Sequence, residues 1–514
     1  MTDALVAACA AGTFRGATSR GANVWRGIRY AQAPTGSLRF RDPIAAEPVG
    51  AVDALAFGAV APQPRLPMLD LGPDARMDED CLFLNVWTPS DPTPSSRPVM
   101  VWLHGGAYTY GAGSQPMFDA TKLVTRGDLV VVTINYRIGA LGFLDLSSYA
   151  TPDDPYDSNL ALKDVLLALR WVRDNIAAFG GDPHRVTIFG ESAGGGLVTT
   201  LLATPSAEGL FHRAIAESSP ATSMYGPGRA RRVAEQFLTA VGMDAATAAG
   251  ARDLPVDDVV KAGMLVYAGV PTEAPGTLAF APVVDGDLLP EAPADVLAAG
   301  RGIPIPLLIG TNRDEASFFI HMKSPLMPVT EDRILKMFAD MRTERPDLPL
   351  PDRATVLQAY EGVRQRAIGS GVARDIAFRL PTIWIAEGHS RAADVWLYRF
   401  DHSTRALDAL AIGATHGAEL AYVWDNFSRG RVDPTFWLGG RRIAEEVSQR
   451  VQARWIAFAR GATPGGEIDA AEPVWPRYDV DTRATLVIDS VDRVVDDFDA
   501  ALRRSWGDRV LAFD

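Results

Sequence analysis

The sequence predicts an α/β fold: a large, mostly parallel central sheet with flanking and cap helices. Three observations predict it. Apolar runs rich in β-branched residues alternate with stretches of helical periodicity, the pattern that packs helices onto a doubly wound sheet. The clearest unit is Asn159–Phe179, helical in period, which ends at Gly180-Gly181 and leads into the strand-like run Val186–Phe189. Finally, 514 residues with 47% hydrophobic and 22% charged side chains suit one large globular domain with insertions.

Taken in order, Gly12–Arg15 and Val24–Arg29 are short β-rich runs and read as an antiparallel hairpin region. Ala61-Pro-Gln-Pro-Arg-Leu-Pro67 is a proline-rich loop. Val99–Leu103 and Leu129–Asn135 open the alternating part, and Pro304–Ile309, Val395–Phe400 and Ala484–Ile488 extend the sheet. The helical stretches Arg229–Val241, Glu331–Met341, Ala354–Ala367 and Arg441–Arg460 fall between strands and are placed as cap and flanking helices. No linker is long or polar enough to divide the chain. We expect one domain over 1–514, with cap or lid insertions near 60–78, 221–275 and 320–380.

Fifty Lys and Arg against 63 Asp and Glu give a net charge of −13. A phosphate-tracking surface needs a basic patch, so no nucleic-acid partner is expected. The charge-free stretches Pro98–Phe118 and Ser192–Ala207 are broken by Gly, Pro and polar residues, so no membrane span is expected. Cys9 and Cys81 are too few for a disulfide scaffold or a thiolate zinc site and suit a reducing compartment. Met1–Gly12 has no Lys or Arg ahead of its apolar run and reads as a mature start rather than a signal peptide. The expected location is the cytoplasm.

Gly190-Glu-Ser192-Ala-Gly194 matches G-x-S-x-G. The string alone is weak, but the strand Val186–Phe189 runs into it and Ala193–Leu202 continues as a helix. Strand, sharp turn and helix together make a nucleophile elbow, in which the serine is strained and its neighbours two residues away must lack bulk. The oxyanion of an acyl-transfer intermediate needs preorganised donors. Leu103-His-Gly-Gly-Ala107 follows the strand Val99–Leu103, and its paired glycines let amides turn inward. The candidate donors are the amides of Gly106, Ala107 and Ala193. His104 reads as a packed, loop-bracing histidine, because this chain order places the base last.

Downstream, Gly310-Thr-Asn-Arg-Asp314-Glu315 closes the strand Pro304–Ile309, on the face where such sheets carry their sites. The residues alone do not choose between Asp314 and Glu315. For the base, His402 directly follows Val395–Phe400, while His416 lies in the glycine-bracketed loop Gly413-Ala-Thr-His-Gly417. Both stay open, the loop favouring His416.

The chain resembles the type B carboxylesterase family, the group of cholinesterases, liver carboxylesterases and bacterial para-nitrobenzyl esterases. Arg26-Gly-Ile-Arg-Tyr-Ala31, Leu38-Arg-Phe40 and Glu79-Asp-Cys-Leu-Phe-Leu-Asn-Val-Trp87 are similar to its opening. Asn135-Tyr136-Arg137, Gly142-Phe143, Phe179–Pro183, Phe280–Gly286, Trp455–Gly461 and Trp475-Pro476 carry the resemblance nearly to the C-terminus. It implies an α/β-hydrolase fold and a carboxylic ester hydrolase with a Ser192–Glu315–His416 triad and no cofactor or metal. The alternatives on the same scaffold are an amidase or carbamate hydrolase, or a non-catalytic binding relative.

The resemblance further implies supporting roles for Glu191 and for Ser218 near the acid, and a bracing Arg39–Glu79 ion pair. Asp314 becomes a structural loop carboxylate. Ala316 and Ser219 stand where the family usually has glycine, and Lys163 replaces a more usual residue before Asp164. Secreted members tie their first long loop to the cysteine matching Cys81; the loop here has none, which implies an untied loop and an intracellular protein. Tyr108, Met224, Phe318, Phe319 and Trp384 are candidate pocket walls. A small-molecule ester is the expected substrate, with breadth toward short acyl chains and, from Gly105-Gly106-Ala107, bulky alcohols.

Overall fold

The computed structural model of the chain describes residues 5–67, 69–91, 96–427, 434–465 and 472–514. An eleven-stranded sheet forms its centre. The strands run parallel from Thr485–Ile488 through Val395–Phe400, Leu307–Asn312, Arg213–Glu217, Gly181–Glu191 and Arg97–Leu103 to Val130–Ile134. Phe83–Pro89, Ala22–Arg29 and Ala17–Ser19 add antiparallel strands at one edge, and Arg493–Val495 adds one at the other.

Period-two alternation within these strands splits the core into two layers. Val99, Val101, Val186, Ile188, Ala214, Leu307 and Ile309 point to one face. Met100, Trp102, Phe189, Ile215, Leu308 and Trp396 point to the other. The helices Leu160–Asn175 and Ala193–Leu202 cover the first face; Thr121–Gly127 and Arg441–Arg460 cover the second. Every central strand is thus buried on both sides, which is why its sequence is apolar without a polar alternate.

Two expected elements differ. Gly12–Arg15 and Ala22–Arg29 do not pair with each other: the first joins Val6–Cys9 and Ala51–Asp53 in a separate three-stranded sheet, the second enters the large sheet. The stretch Ala354–Ala367 is two helices, Arg353–Gln358 and Gln365–Arg374, separated by a turn with Gly362 at φ 80°. The second of these continues through a π-helical turn, Asp375–Arg379, into Leu380–His389.

Two ion pairs brace the frame below the site. Arg39 clamps Glu79 bidentately at 2.6 and 2.5 Å and also donates to the carbonyls of Arg252 and Leu254. Arg137 holds the wholly buried Asp164 through three hydrogen bonds, and Lys163 turns away to Asp42. Cys81 is buried and Cys9 half-buried, and both are free thiols. Among the described residues no helix is long and apolar enough to cross a membrane.

Candidate active site

Ser192 sits at the C-terminal end of the strand Gly181–Glu191 and the head of the helix Ala193–Leu202, with φ 57° and ψ −124°. Such a backbone is strained for a residue with a Cβ. The glycines around it explain how the turn closes: a Cβ on Gly194 would collide with the Leu103 carbonyl oxygen, and one on Gly190 with Gly194 itself. The Ser192 amide is used within the frame, donating to the Glu217 carbonyl at 2.9 Å. The amide of Ala193, at the first helical position, has no intrahelical partner.

The loop after Arg97–Leu103 approaches the same point. Gly106 has φ 122°, and a Cβ there would strike the Tyr110 carbonyl, so only glycine fits. Its carbonyl is tied inside the loop by the amides of Thr109 and Tyr110 at 2.9 and 2.8 Å, while the Ala107 carbonyl accepts the Thr109 hydroxyl. The amides of Gly106 and Ala107 bond no carbonyl or side chain among the described residues. His104 lies beneath this loop, stacked on Tyr136 with ring centroids 4.3 Å apart. Burial lowers its pKa to about 4, so it stays a neutral packing group.

The structure brings Glu315 and His416 together. Glu315 follows the strand Leu307–Asn312, is fully buried, and lies 2.6 Å from His416 Nδ1 through Oε2. Its other oxygen accepts the Ser218 hydroxyl and the Asn312 amide, both at 2.6 Å. Ser192, Glu191 and His416 line one cavity of about 530 Å³. His402 is elsewhere, packed edge-on against Phe400 and Tyr422 and 3.6 Å from Asp489. Asp314 does not reach the imidazole; its Oδ2 accepts from Ala414 N–H and Arg313.

Glu191 lies 3.3 Å from His416 Nε2. Burial alone would lower the His416 pKa, but Glu191 and Glu315 outweigh it and hold it above its ordinary value. Burial, opposed by His416 and reinforced by Glu315, pushes Glu191 up to about 7. Two further buried carboxyls stand behind. Glu217 is raised to about 8, mainly by burial against the hydrogen bond from Trp455. Glu419 is raised well above the usual range by burial and by its three carboxyl neighbours. One imidazole cannot balance so many buried anions, so protons are retained among them.

Of the candidate walls, Tyr108, Phe318 and Phe319 line the cavity. Met224 and Trp384 do not. Met224 is buried against the Thr200 hydroxyl, and the Trp384 indole donates to the Gly507 carbonyl. The sequence shows how much aromatic surface is present but not which way each ring points. It also gives no sign of Phe378, Phe118 or Met327, which are walls of the cavity. Among the described residues no group of His, Cys, Asp and Glu is placed to hold a metal ion.

Residues 3–502 match the model of the carboxylesterase family. The para-nitrobenzyl esterase of Bacillus subtilis (strain 168) is 37% identical over 93% of this chain and 94% of its own length. The phenmedipham hydrolase of Pseudarthrobacter oxydans is 33% identical over 94% of each. Among solved structures, a thermophilic para-nitrobenzyl esterase superposes with a TM-score of 0.84 at 35% identity, covering 97% of this chain and 99% of that one. The Geobacillus stearothermophilus carboxylesterase gives 0.83 at 32% identity, covering 98% and 99%. With a doubly wound sheet, a serine at a strained strand–helix turn and likeness along its whole length, the chain belongs to the carboxylesterase family and is a serine carboxylic ester hydrolase.

Proposed function

We propose that Ser192, His416 and Glu315 form the catalytic triad, acting on neutral, largely apolar small-molecule esters through an acyl-enzyme. The observation that carries this is the 2.6 Å contact between Glu315 and His416 Nδ1 beside a cavity that also exposes the strained Ser192. Donation from Nδ1 to Glu315 leaves Nε2 of the neutral ring as the proton acceptor. His416 then takes the Ser192 proton as the hydroxyl oxygen attacks the ester carbonyl. Glu315 stabilises the resulting imidazolium without itself taking the proton. The amides of Gly106, Ala107 and Ala193 hold the oxyanion, with the positive end of the helix Ala193–Leu202 behind the last of them. His416 returns the proton to the departing alcohol, and water repeats the sequence on the acyl-enzyme.

Apart from Glu191, His416 and Lys323, the described residues of the cavity wall carry no charge, which suits uncharged substrates. The segments 60–78, 221–275 and 320–380 act as its cap, since Leu66, Tyr267, Met327 and Met337 come from them. Free Cys9 and Cys81 support a reducing compartment, with the cytoplasm as the place of action. The decisive test is turnover of p-nitrophenyl acetate. Ser192→Ala and His416→Ala each lose about 10⁴-fold or more in kcat while melting near the parent temperature. His402→Ala stays near the parent rate. A dead His402→Ala beside an active His416→Ala reverses the base assignment, and retained activity in Ser192→Ala removes the triad.

A further inference from the structure

His416 is not only hydrogen-bonded; it is seated on aromatic rings. The Phe378 ring lies 4.6 Å from the imidazole, centroid to centroid, at 33°. Phe319 lies at 5.1 Å and 43°, and the two phenyl rings stack on one another at 6.4 Å and 20°. The Phe378 ring is delivered by the π-helical turn Asp375–Arg379, which interrupts the run from Gln365 to His389. An extra residue in one turn rotates every later side chain about the helix axis, and such turns are frequent at functional sites.

Both ends of this turn are anchored by buried charges. Asp375 accepts the Tyr360 hydroxyl at 2.8 Å and a bidentate clamp from Arg374. Arg379 clamps Asp499 and donates to the Thr311 hydroxyl and the Tyr398 carbonyl. Asp375 and Arg379 are each almost wholly buried. The irregular turn is thus fixed from both sides, and Phe378, 4% exposed, has little freedom to leave the imidazole.

We propose that Phe378 is a positioning residue for His416: it seats the imidazole and, through its ring face, favours the imidazolium formed as Ser192 loses its proton. A cation within about 6 Å of a phenyl centroid is attracted by the ring quadrupole, most strongly where water is excluded. The other groups about the imidazole are the carboxyls of Glu315 and Glu191, with Glu419 and Glu217 behind them and the single cation Lys323 on the wall of the same cavity among the described residues. Arg374 and Arg379 are held by Asp375 and Asp499, and Arg313 pairs with Asp314. The ring therefore adds to the carboxylates in the same direction, toward the charged form. Its removal lowers the pH at which the base is half-protonated and weakens the transition state.

The proposal rests on the triad reading, and kcat/KM against pH separates the two. Phe378→Leu and Phe378→Met are compared with Phe378→Tyr on phenyl acetate and phenyl hexanoate. The first two lose about 5- to 20-fold, carried by kcat, equally on both esters, and their acid limb moves down by about half a pH unit. Phe378→Tyr keeps the parent limb, and Met, closer in shape to a flexible filler, preserves the test if Leu melts early. A loss confined to one ester with the limb unmoved makes Phe378 a pocket wall only and overturns the proposal. An active His416→Ala would instead overturn the triad reading itself.

Discussion

Gly106 and Ala107 stand in the cavity wall on the loop that faces Ser192. Both loop carbonyls are bound within the loop, which we read as turning them away from the alcohol side of the serine. We propose that the freed space admits tertiary alcohols. The expected outcome is hydrolysis of tert-butyl acetate well above the Ser192→Ala background, measured against n-butyl acetate. Gly106→Ala, whose methyl would meet the Tyr110 carbonyl, should lower turnover of both by about 10²–10³, the scale of a lost oxyanion donor. Tertiary-ester rates at background would refute the loop argument and leave the esterase standing. Gly106 and the candidates Ser192 and His416 were legible because each needs a rare local backbone or a glycine-bracketed loop, whereas Glu315, with an ordinary helical backbone, was separated from Asp314 only by the family resemblance. Phe378 was not, because a π-helical turn has no spacing signature and its register depends on Asp375 and Arg379 finding partners far away in the chain.

At the scale of elements, Glu315 and His416 are carried by two loops zipped into one unit. Asp314 N–H donates to the Ala414 carbonyl at 2.9 Å, and Ala414 N–H returns to Asp314 Oδ2 at 3.1 Å. Ser317 Oγ reaches the Ile412 carbonyl and the Thr415 hydroxyl, Thr415 Oγ1 accepts the Phe318 amide, and Asn312 donates to the Thr415 carbonyl. A loop held at so many points presents His416 at one height, and small displacements of a reacting group are costly. Asp314→Ala should therefore lower kcat about tenfold with KM within about twofold, while Asp314→Asn, which can still accept from Ala414, recovers most of it. Equal losses in both variants would show that the charge toward Arg313, not the clasp, is what matters. The strands feeding these loops were readable as apolar β-branched runs. Arg213–Glu217, which leads directly into Ser218 beside Glu315, was passed over because five residues bounded by polar side chains give no periodicity to read.

Across the whole molecule, the site exacts a stability cost that depends on pH. Glu191, Glu217, Glu315 and Glu419 converge from four segments of the chain at the C-terminal edge of the sheet, and Glu217 ties that edge to the helix Arg441–Arg460 through the Trp455 indole at 2.7 Å. The second oxygen of Glu217 has no partner among the described residues. Burial raises this carboxyl to about 8 in the folded chain, far above the value it has when unfolded. Folding then takes up a proton at neutral pH. The contribution is fully present below the unfolded carboxyl pKa, near pH 4.5, and is lost as pH rises through about 8. Glu217→Gln keeps an oxygen for Trp455 but never ionises. Its melting temperature relative to the parent should therefore climb steadily between pH 5 and about 8 and level off above that. Differential scanning calorimetry of both proteins across this range is the measurement. A difference that stays flat, or that narrows as pH rises, would show that Glu217 is already ionised at pH 5 and that the charge of the cluster is balanced elsewhere.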